Sequence, residues 1–305
     1  MGEDPPYSFF GDKMIAAGID LGGTKIEAQM FDRGWKLVAT ERVSTPKTYE
    51  GLISAVKKLA VSCGDVPVGI SAAGLIHPET GVALTANLPA TGRTLIQDVM
   101  QAANRPLVWI NDARALLLSE AVFGVGEGVD RVAGVIIGTG IGSGLSVNGR
   151  LQAGPSGTSG EIGHIALPAH LVHRYNLPIV QCGCGRVGCM ETLVAGPGLV
   201  RIAKAVKSPE TTPKAIAAER GKAWQIWCEL AAEMLFALNI IGDPELIVIA
   251  GGLSKVPHLV DDLTAALKLS QFKGFPIPEI RIAKGGDASG ALGAAYVAWR
   301  QNADG

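Results

Sequence analysis

The chain has 305 residues, 48% apolar and 18% charged, which excludes a disordered polymer and gives enough length for two domains. Its 27 basic and 28 acidic residues leave a net charge of -1, so neither nucleic acid nor an anionic membrane surface is an expected partner. Glycine is the outlier at 40 residues, about twice the usual share and without a collagen-like period, so it belongs at tight turns and where backbone meets a ligand.

Residues 1–13 (MGEDPPYSFFGDK) carry acids and two prolines where a signal peptide needs a basic start and an apolar run. They are expected to be a disordered extension ahead of a native start at Met14, in a cytoplasmic protein. Ile15–Asp20 reads as a buried strand and Ile26–Asp32 as its antiparallel return, with the glycine turn Leu21-Gly22-Gly23-Thr24-Lys25 between them. Gly51–Ser62 has helical spacing, Val66–Ile70 and Leu107–Ile110 read as short strands, and Ala113–Phe123 as a helix. The pattern then repeats. Val132–Ile137 is a strand, Gly138–Gly144 (GTGIGSG) a glycine turn, and Leu145–Val147 begins a returning strand that ends at Asn148-Gly149. The two copies are roughly 118 residues apart. A long loop region runs to Met190; a helix over Ala223–Ile241, a strand over Leu246–Ala250, the glycine turn Gly251–Ser254 and a small-residue helix over Ser289–Gln301 complete the chain. Apolar runs such as Val132–Ile137 are too short to span a bilayer. Strands alternating with helices in both halves predict α/β architecture, with one domain over 14–124 and a second over 125–305. The last helix, about 289–301, is placed to pack back on the first domain.

Several of these turns carry chemistry. In Asp20–Lys25, glycines let backbone N–H groups approach phosphate oxygens, Thr24 adds a hydroxyl, and Asp20 could hold Mg²⁺ through water. An isolated Gly-Gly would be an ordinary hairpin turn; the acid, hydroxyl and lysine together favour phosphate. Gly138–Gly144 fails the dinucleotide spacing, because Ser143 and Leu145 stand where a third glycine is needed and a strand follows. Two glycine hairpins read instead as a nucleotide clamp. Asp112, at a strand's carboxyl end, could accept a proton from a substrate hydroxyl during phosphoryl transfer, although an aspartate just before a helix is more often an N-cap. Glu161 and His164, in Gly160-Glu161-Ile162-Gly163-His164, sit beside a run of small residues that could bring them to a sugar.

The five cysteines are odd in number, and Cys182, Cys184 and Cys189 fall within eight residues. Three thiolates spaced by glycines suit a tetrahedral Zn²⁺ rather than a disulfide framework. His164 is the favoured fourth ligand, with His170 and His173 as competitors. A filled Cys₃His site has no open position and is therefore structural. Cys63 and Cys228 lie in apolar helical surroundings and read as core.

DLGGTK at 20–25, NDA at 111–113, GTGIGSG at 138–144, GEIGH at 160–164 and CGCGRVGCME at 182–191 resemble, in this order, the ROK family of sugar kinases. The resemblance spans nearly the whole chain and is closest to bacterial N-acetylglucosamine kinases of that family. It implies an actin-like (ribonuclease H-like) ATPase fold of two related domains with a cleft between them. It further implies ATP-dependent phosphorylation of a sugar's 6-hydroxyl, Mg²⁺, structural zinc and a homodimer. By matching position, Asp112 would be the catalytic base, and Asn87, Asn111, Asp112, Glu161, His164 and Glu191 would contact the sugar. Asp20, Gly22, Gly23, Thr24, Lys25, Gly138, Thr139, Gly140, Gly142, Gly144, Gly251 and Gly252 would bind ATP, and His164, Cys182, Cys184 and Cys189 would hold zinc. Ser71-Ala72-Ala73-Gly74 departs from the family's glycine-proline-glycine loop beside the sugar, which leaves fructose or glucose as alternative substrates. A non-catalytic sugar-binding regulator is the alternative of another class. Family members that act as repressors carry an N-terminal helix-turn-helix domain, for which the residues before the first glycine turn leave no room. An acyl phosphotransferase on a related fold is disfavoured by the cysteine signature.

Overall fold

The computed structural model describes residues 14–77, 79–85, 88–285 and 289–304. The expected extension at residues 1–13 and the candidate ligand Asn87 lie outside these described residues. Strands are β1 (Met14–Leu21), β2 (Lys25–Asp32), β3 (Leu37–Ser44), β4 (Val68–Ala72), β5 (Gly74–Ile76), β6 (Ala83–Thr85), β7 (Val108–Asn111), β8 (Arg131–Ile137), β9 (Ile141–Val147), β10 (Arg150–Leu151), β11 (Leu246–Ala250) and β12 (Glu279–Ile282). Helices are α1 (Tyr49–Ser62), α2 (Leu95–Ala103), α3 (Asp112–Phe123), α4 (Ala169–Tyr175), α5 (Glu191–Val194), α6 (Gly196–Ala205), α7 (Pro213–Glu219), α8 (Lys222–Gly242), α9 (Leu259–Ser270) and α10 (Ser289–Asp304).

The chain divides into two compact units. One comprises the described residues up to Ser119, Gly154–Gly157 and the described residues from Gly285 on; the other comprises Glu120–Ala153 and Thr158–Lys284. Each is built on a five-stranded sheet, ordered β3-β2-β1-β4-β7 in the first and β10-β9-β8-β11-β12 in the second. The pairing is the same in both. Two hairpin-linked antiparallel pairs, β1–β2 and β2–β3 or β8–β9 and β9–β10, are followed by parallel partners, β4 and β7 or β11 and β12. The repeated strand–turn–strand motif is thus the antiparallel start of each sheet, and the parallel strands need helical crossovers.

In the first unit, α1 starts at Thr48, whose hydroxyl accepts from the Gly51 N–H at 3.2 Å and satisfies one of the helix's orphan donors. Leu52, Val56 and Leu59, at helical spacing, bury one face of α1 with Ile19, Leu21 and Ile70. Helix α10 covers the sheet at unusually close range. A Cβ on Gly18 would lie 1.8 Å from the Ala291 carbonyl oxygen, and one on Gly69 2.0 Å from that of Ala294. Gly293 in turn lets α10 approach α3, because a Cβ there would lie 1.9 Å from the Ala115 oxygen. These glycines serve packing, which strand periodicity alone did not reveal.

In the second unit, α8 is the core helix. Trp227 is fully buried and donates from its indole to the Val194 carbonyl at 2.8 Å, and its ring stacks on Trp224 at 4.6 Å. By length and composition α8 could cross a membrane, but 61% of its apolar window is buried within the protein.

Two sequence expectations need correction here. The turn read over 138–144 is only three residues long, since β9 begins at Ile141. Gly144 belongs to the strand, and the Gly160 backbone crosses it so closely that a Cβ on Gly160 would come within 3.0 Å of the Gly144 Cα. The region read as one long loop to Met190 contains a 3₁₀ turn at Ile162–His164 and helix α4. Helix α4 is only seven residues long, too short for its periodicity to stand out. The Asn148-Gly149 turn is as expected, with φ of 51° and 66°, the left-handed values that a two-residue hairpin requires.

Candidate active site

In the first unit the candidate residues gather at the carboxyl ends of the parallel strands, where open α/β sheets place their ligands. Asp20, near the end of β1, is in register with Ser71 of β4, which in turn faces Ile110 of β7. Asn111 and Asp112 follow directly. The N-cap role belongs to Asn111: its Oδ1 accepts from the Ala113 N–H at 3.0 Å, and its Nδ2 donates to the Gly74 carbonyl at 3.1 Å. Asp112 is the first residue of the helix itself, with Oδ1 2.8 Å from the Ala113 N–H. The cap reading of Asp112 was displaced by one residue because two adjacent residues could both cap.

Burial raises the Asp112 carboxyl above its ordinary range, against the pull of the Ala113 N–H. Burial likewise pushes Asp20 up to about 6, opposed by the Ser71 hydroxyl and reinforced by the charge on Asp112. Desolvation thus raises both carboxyls, and at Asp20 the Asp112 charge adds to it, a setting that favours a cation or a substrate proton nearby. Beside them, the β1–β2 turn is closed by the Gly22 N–H donating to Lys25 O at 3.0 Å. It is tied to the end of β3 by the Thr45 hydroxyl donating to Gly22 O at 2.6 Å and by the Thr45 N–H donating to Thr24 O at 3.0 Å. Gly23, Thr24, Ser44 and Lys47 line a hollow of about 550 Å³ here.

The second unit holds the other candidates. A cavity of about 1210 Å³ brings together Gly138 and Thr139 of the β8–β9 turn with Gly252 after β11. Two turns 114 residues apart in sequence number therefore open on one space. Gly251 precedes it at φ 90°, a conformation that brings the backbone onto Ile137, where a Cβ would lie 2.6 Å from its carbonyl oxygen. The apolar wall is supplied by Val200, Pro213, Ala217 and Leu253, with Lys255 also lining it. Only Leu253, within the Gly251–Ser254 turn, was singled out from the sequence; the others come from α6, α7 and the end of a 3₁₀ turn and share no local motif. Gly142 and Gly144 lie in β9 rather than in the turn.

His164, Cys182, Cys184 and Cys189 offer ligand atoms that all lie within 4.8 Å of one another. His170 and His173 are on α4, outside that cluster. Zinc–ligand bonds of about 2.1–2.3 Å imply tetrahedral edges of about 3.4–3.8 Å. The Cys184–Cys189 sulfurs are 3.7 Å apart, as are Cys182 Sγ and His164 Nδ1, so the donor set fits zinc in both chemistry and size. Local backbone explains the arrangement. Gly185 and Gly188 adopt φ of 89° and 74°, which lets Cys182 N–H donate to Arg186 O at 2.7 Å and Gly188 N–H to Val180 O at 3.0 Å. The Arg186 guanidinium donates to the His164 carbonyl at 3.1 Å, closing the loop on the 3₁₀ turn that carries Glu161 and His164. Burial pushes the Cys182 thiol up to about 12, so in the metal-free protein it keeps its proton. Glu191 follows the cluster as the first residue of α5; its Oε1 is 3.4 Å from Cys182 Sγ and its Oε2 accepts from the Ile141 N–H at 2.7 Å.

Two sheets of one topology, paired buried carboxyls and glycine hairpins define a sugar kinase of the actin-like ATPase fold. The ROK family model matches residues 16–301, and the chain belongs to the ROK family. It is 35% identical over 299 residues to the N-acetylgalactosamine kinase AgaK of Shewanella sp. (strain ANA-3), covering 92% of this chain and 95% of that one. It is 34% identical over 295 residues to the N-acetyl-D-glucosamine kinase of Pasteurella multocida, covering 91% and 97%. Among solved structures, the ROK hexokinase from Thermus thermophilus superposes with a TM-score of 0.80 at 31% identity, covering 95% and 99%.

Proposed function

We propose that the protein transfers the γ-phosphoryl group of Mg·ATP to the 6-hydroxyl of an N-acetylhexosamine, with N-acetyl-D-glucosamine as the leading substrate. The observation that carries this reading is the half-buried Asp112 directly after β7, its Oδ1 held by the Ala113 N–H and its carboxyl made more basic by desolvation. Asp112 would take the hydroxyl proton as that oxygen bonds to the γ-phosphorus and the bond to the bridging oxygen of ADP breaks. A carboxylate made more basic by burial suits this task. Asp20 would hold Mg²⁺ through water, and the turns at 22–25 and 138–140 would align the phosphates, with Gly251 and Gly252 beside the adenine.

Asn87, Asn111, Glu161, His164 and Glu191 would contact the sugar. Because His164 turns Nδ1 towards Cys182, Nε2 remains for a hydroxyl, and one ring could serve zinc and sugar together. His164, Cys182, Cys184 and Cys189 would hold a zinc ion whose contribution is structural, fixing the 3₁₀ turn that presents Glu161. The protein is expected to be a cytoplasmic homodimer. The close relatives named for N-acetylgalactosamine and N-acetylglucosamine are nearly equal in identity, so both sugars head the test panel.

The test is ADP release from Mg·ATP with N-acetylglucosamine, N-acetylgalactosamine, N-acetylmannosamine, glucose, fructose, mannose or no sugar. Strong stimulation by an N-acetylhexosamine is expected. Preference for fructose or glucose would overturn the substrate, and sugar binding without stimulated ADP release would favour a non-catalytic regulator.

A further inference from the structure

We propose that Glu191 is a positioning residue for the nucleotide, holding the β8–β9 turn in the shape that receives phosphate oxygens; this rests on the reading of that turn as part of the ATP site. The turn has few attachments of its own. Gly138 N–H donates across it to Gly140 O at 3.0 Å. Beyond the pairing of β8 with β9, two further attachments among the described residues come from the segment immediately after the zinc loop. The Gly196 N–H donates to Gly138 O at 2.8 Å, and Glu191 Oε2 accepts from the Ile141 N–H at 2.7 Å. Among the described residues, the N–H groups of Thr139 and Gly140 remain for a ligand. The carboxylate sits so close that a Cβ on Gly140 would lie 2.9 Å from Oε2. A side chain at position 140 would therefore make the Glu191 carboxylate shift.

A charged acceptor on a backbone N–H makes a stronger bond than a neutral one. It also fixes the peptide's direction before ligand arrives, and prior orientation of donors is what phosphate recognition needs. The same carboxylate reaches the zinc loop through Cys182. A zinc-bound Cys182 is a thiolate and donates no proton, so the bond to Ile141 is the one that persists in the metal-loaded protein. Glu191 therefore stands two residues after Cys189 in sequence while its side chain is bonded to the nucleotide turn.

The experiment compares Glu191→Ala and Glu191→Gln in the zinc-replete full chain. It measures Mg·AMPPNP affinity by calorimetry without sugar, zinc content, and amide exchange at Ile141. Glutamine keeps an acceptor oxygen at the same reach. Glu191→Ala is expected to weaken Mg·AMPPNP about tenfold and to speed Ile141 exchange, while Glu191→Gln stays within about threefold of the parent. Glu191→Asp, one methylene too short, replaces the alanine variant if that does not fold. Unchanged nucleotide affinity in Glu191→Ala, or equal losses in alanine and glutamine variants, would overturn the proposal. Parent protein that binds no Mg·AMPPNP yet protects Ile141 through Glu191 would overturn the nucleotide reading of the turn instead.

Discussion

In the first unit the β1–β2 turn is fastened by its own sheet, through Thr45 at the end of β3. In the second unit the matching β8–β9 turn is fastened from outside the sheet, by Gly196 and by the Glu191 carboxylate that adjoins the cysteine cluster. Both sheets have the same order and pairing. The difference shows that one topology can hold a glycine turn either from the neighbouring strand of its own sheet or from a segment outside that sheet.

The largest expected effect separates chemistry from binding. Asp112→Asn should lower turnover by about 10²–10⁴-fold while Mg·AMPPNP affinity, assigned to Asp20 and the glycine turns, changes little; steady-state ADP release and calorimetry check both. Next, Cys184→Ser should lose zinc, read by elemental analysis. Amide protection should then fall over 162–191 and at Ile141 but remain in β1 and β4. Uniform loss across both sheets would erase the contrast between the units.

Gly293→Ala tests the converse, since its methyl would meet the Ala115 carbonyl. Overpacking costs about 1–3 kcal/mol, so thermal unfolding should shift down by several degrees with zinc content unchanged. Asp20→Asn should raise stability at pH 7.5 by about 1–2 kcal/mol even as it impairs activity. The sign follows from Asp20 titrating near 6 when folded against an ordinary value of 3.8. The folded state binds the proton more tightly, so this group's burden is lifted as pH falls from 7 towards 4. The gap between variant and parent should therefore narrow over that range; a gap that widens would refute the burial of Asp20. Thr45→Val, which deletes one hydroxyl bond to Gly22, should cost only about 1 kcal/mol, measured by denaturant midpoint.

What could be read from the sequence was what is local. Antiparallel strand–turn–strand units announce themselves by apolar runs meeting at glycines, as at 20–25 and 138–140. The cysteine–glycine spacing at 182–189 announces its loop, and His164 joins the same cluster. What could not be read depends on a partner far along the chain. Gly18 and Gly69 look like ordinary strand residues until α10 is laid on them. Val200, Ala217 and Leu253 meet on one cavity only after three elements pack. Asn111 and Asp112 are adjacent, and only the bonds to Ala113 and Gly74 distinguish the cap from the carboxylate it presents.

The seating of α10 on Gly18 and Gly69 also makes the first unit discontinuous in sequence: α10 returns to a sheet that begins at Met14, with Glu120–Ala153 and Thr158–Lys284 of the second unit lying between them along the chain. Contacts between residues far apart in sequence must first offset the entropy of closing the loop. The face of the Asp20-bearing sheet that α10 covers is therefore expected to be among the later surfaces to reach native packing, and a change in α10 is felt at the strand that opens the fold.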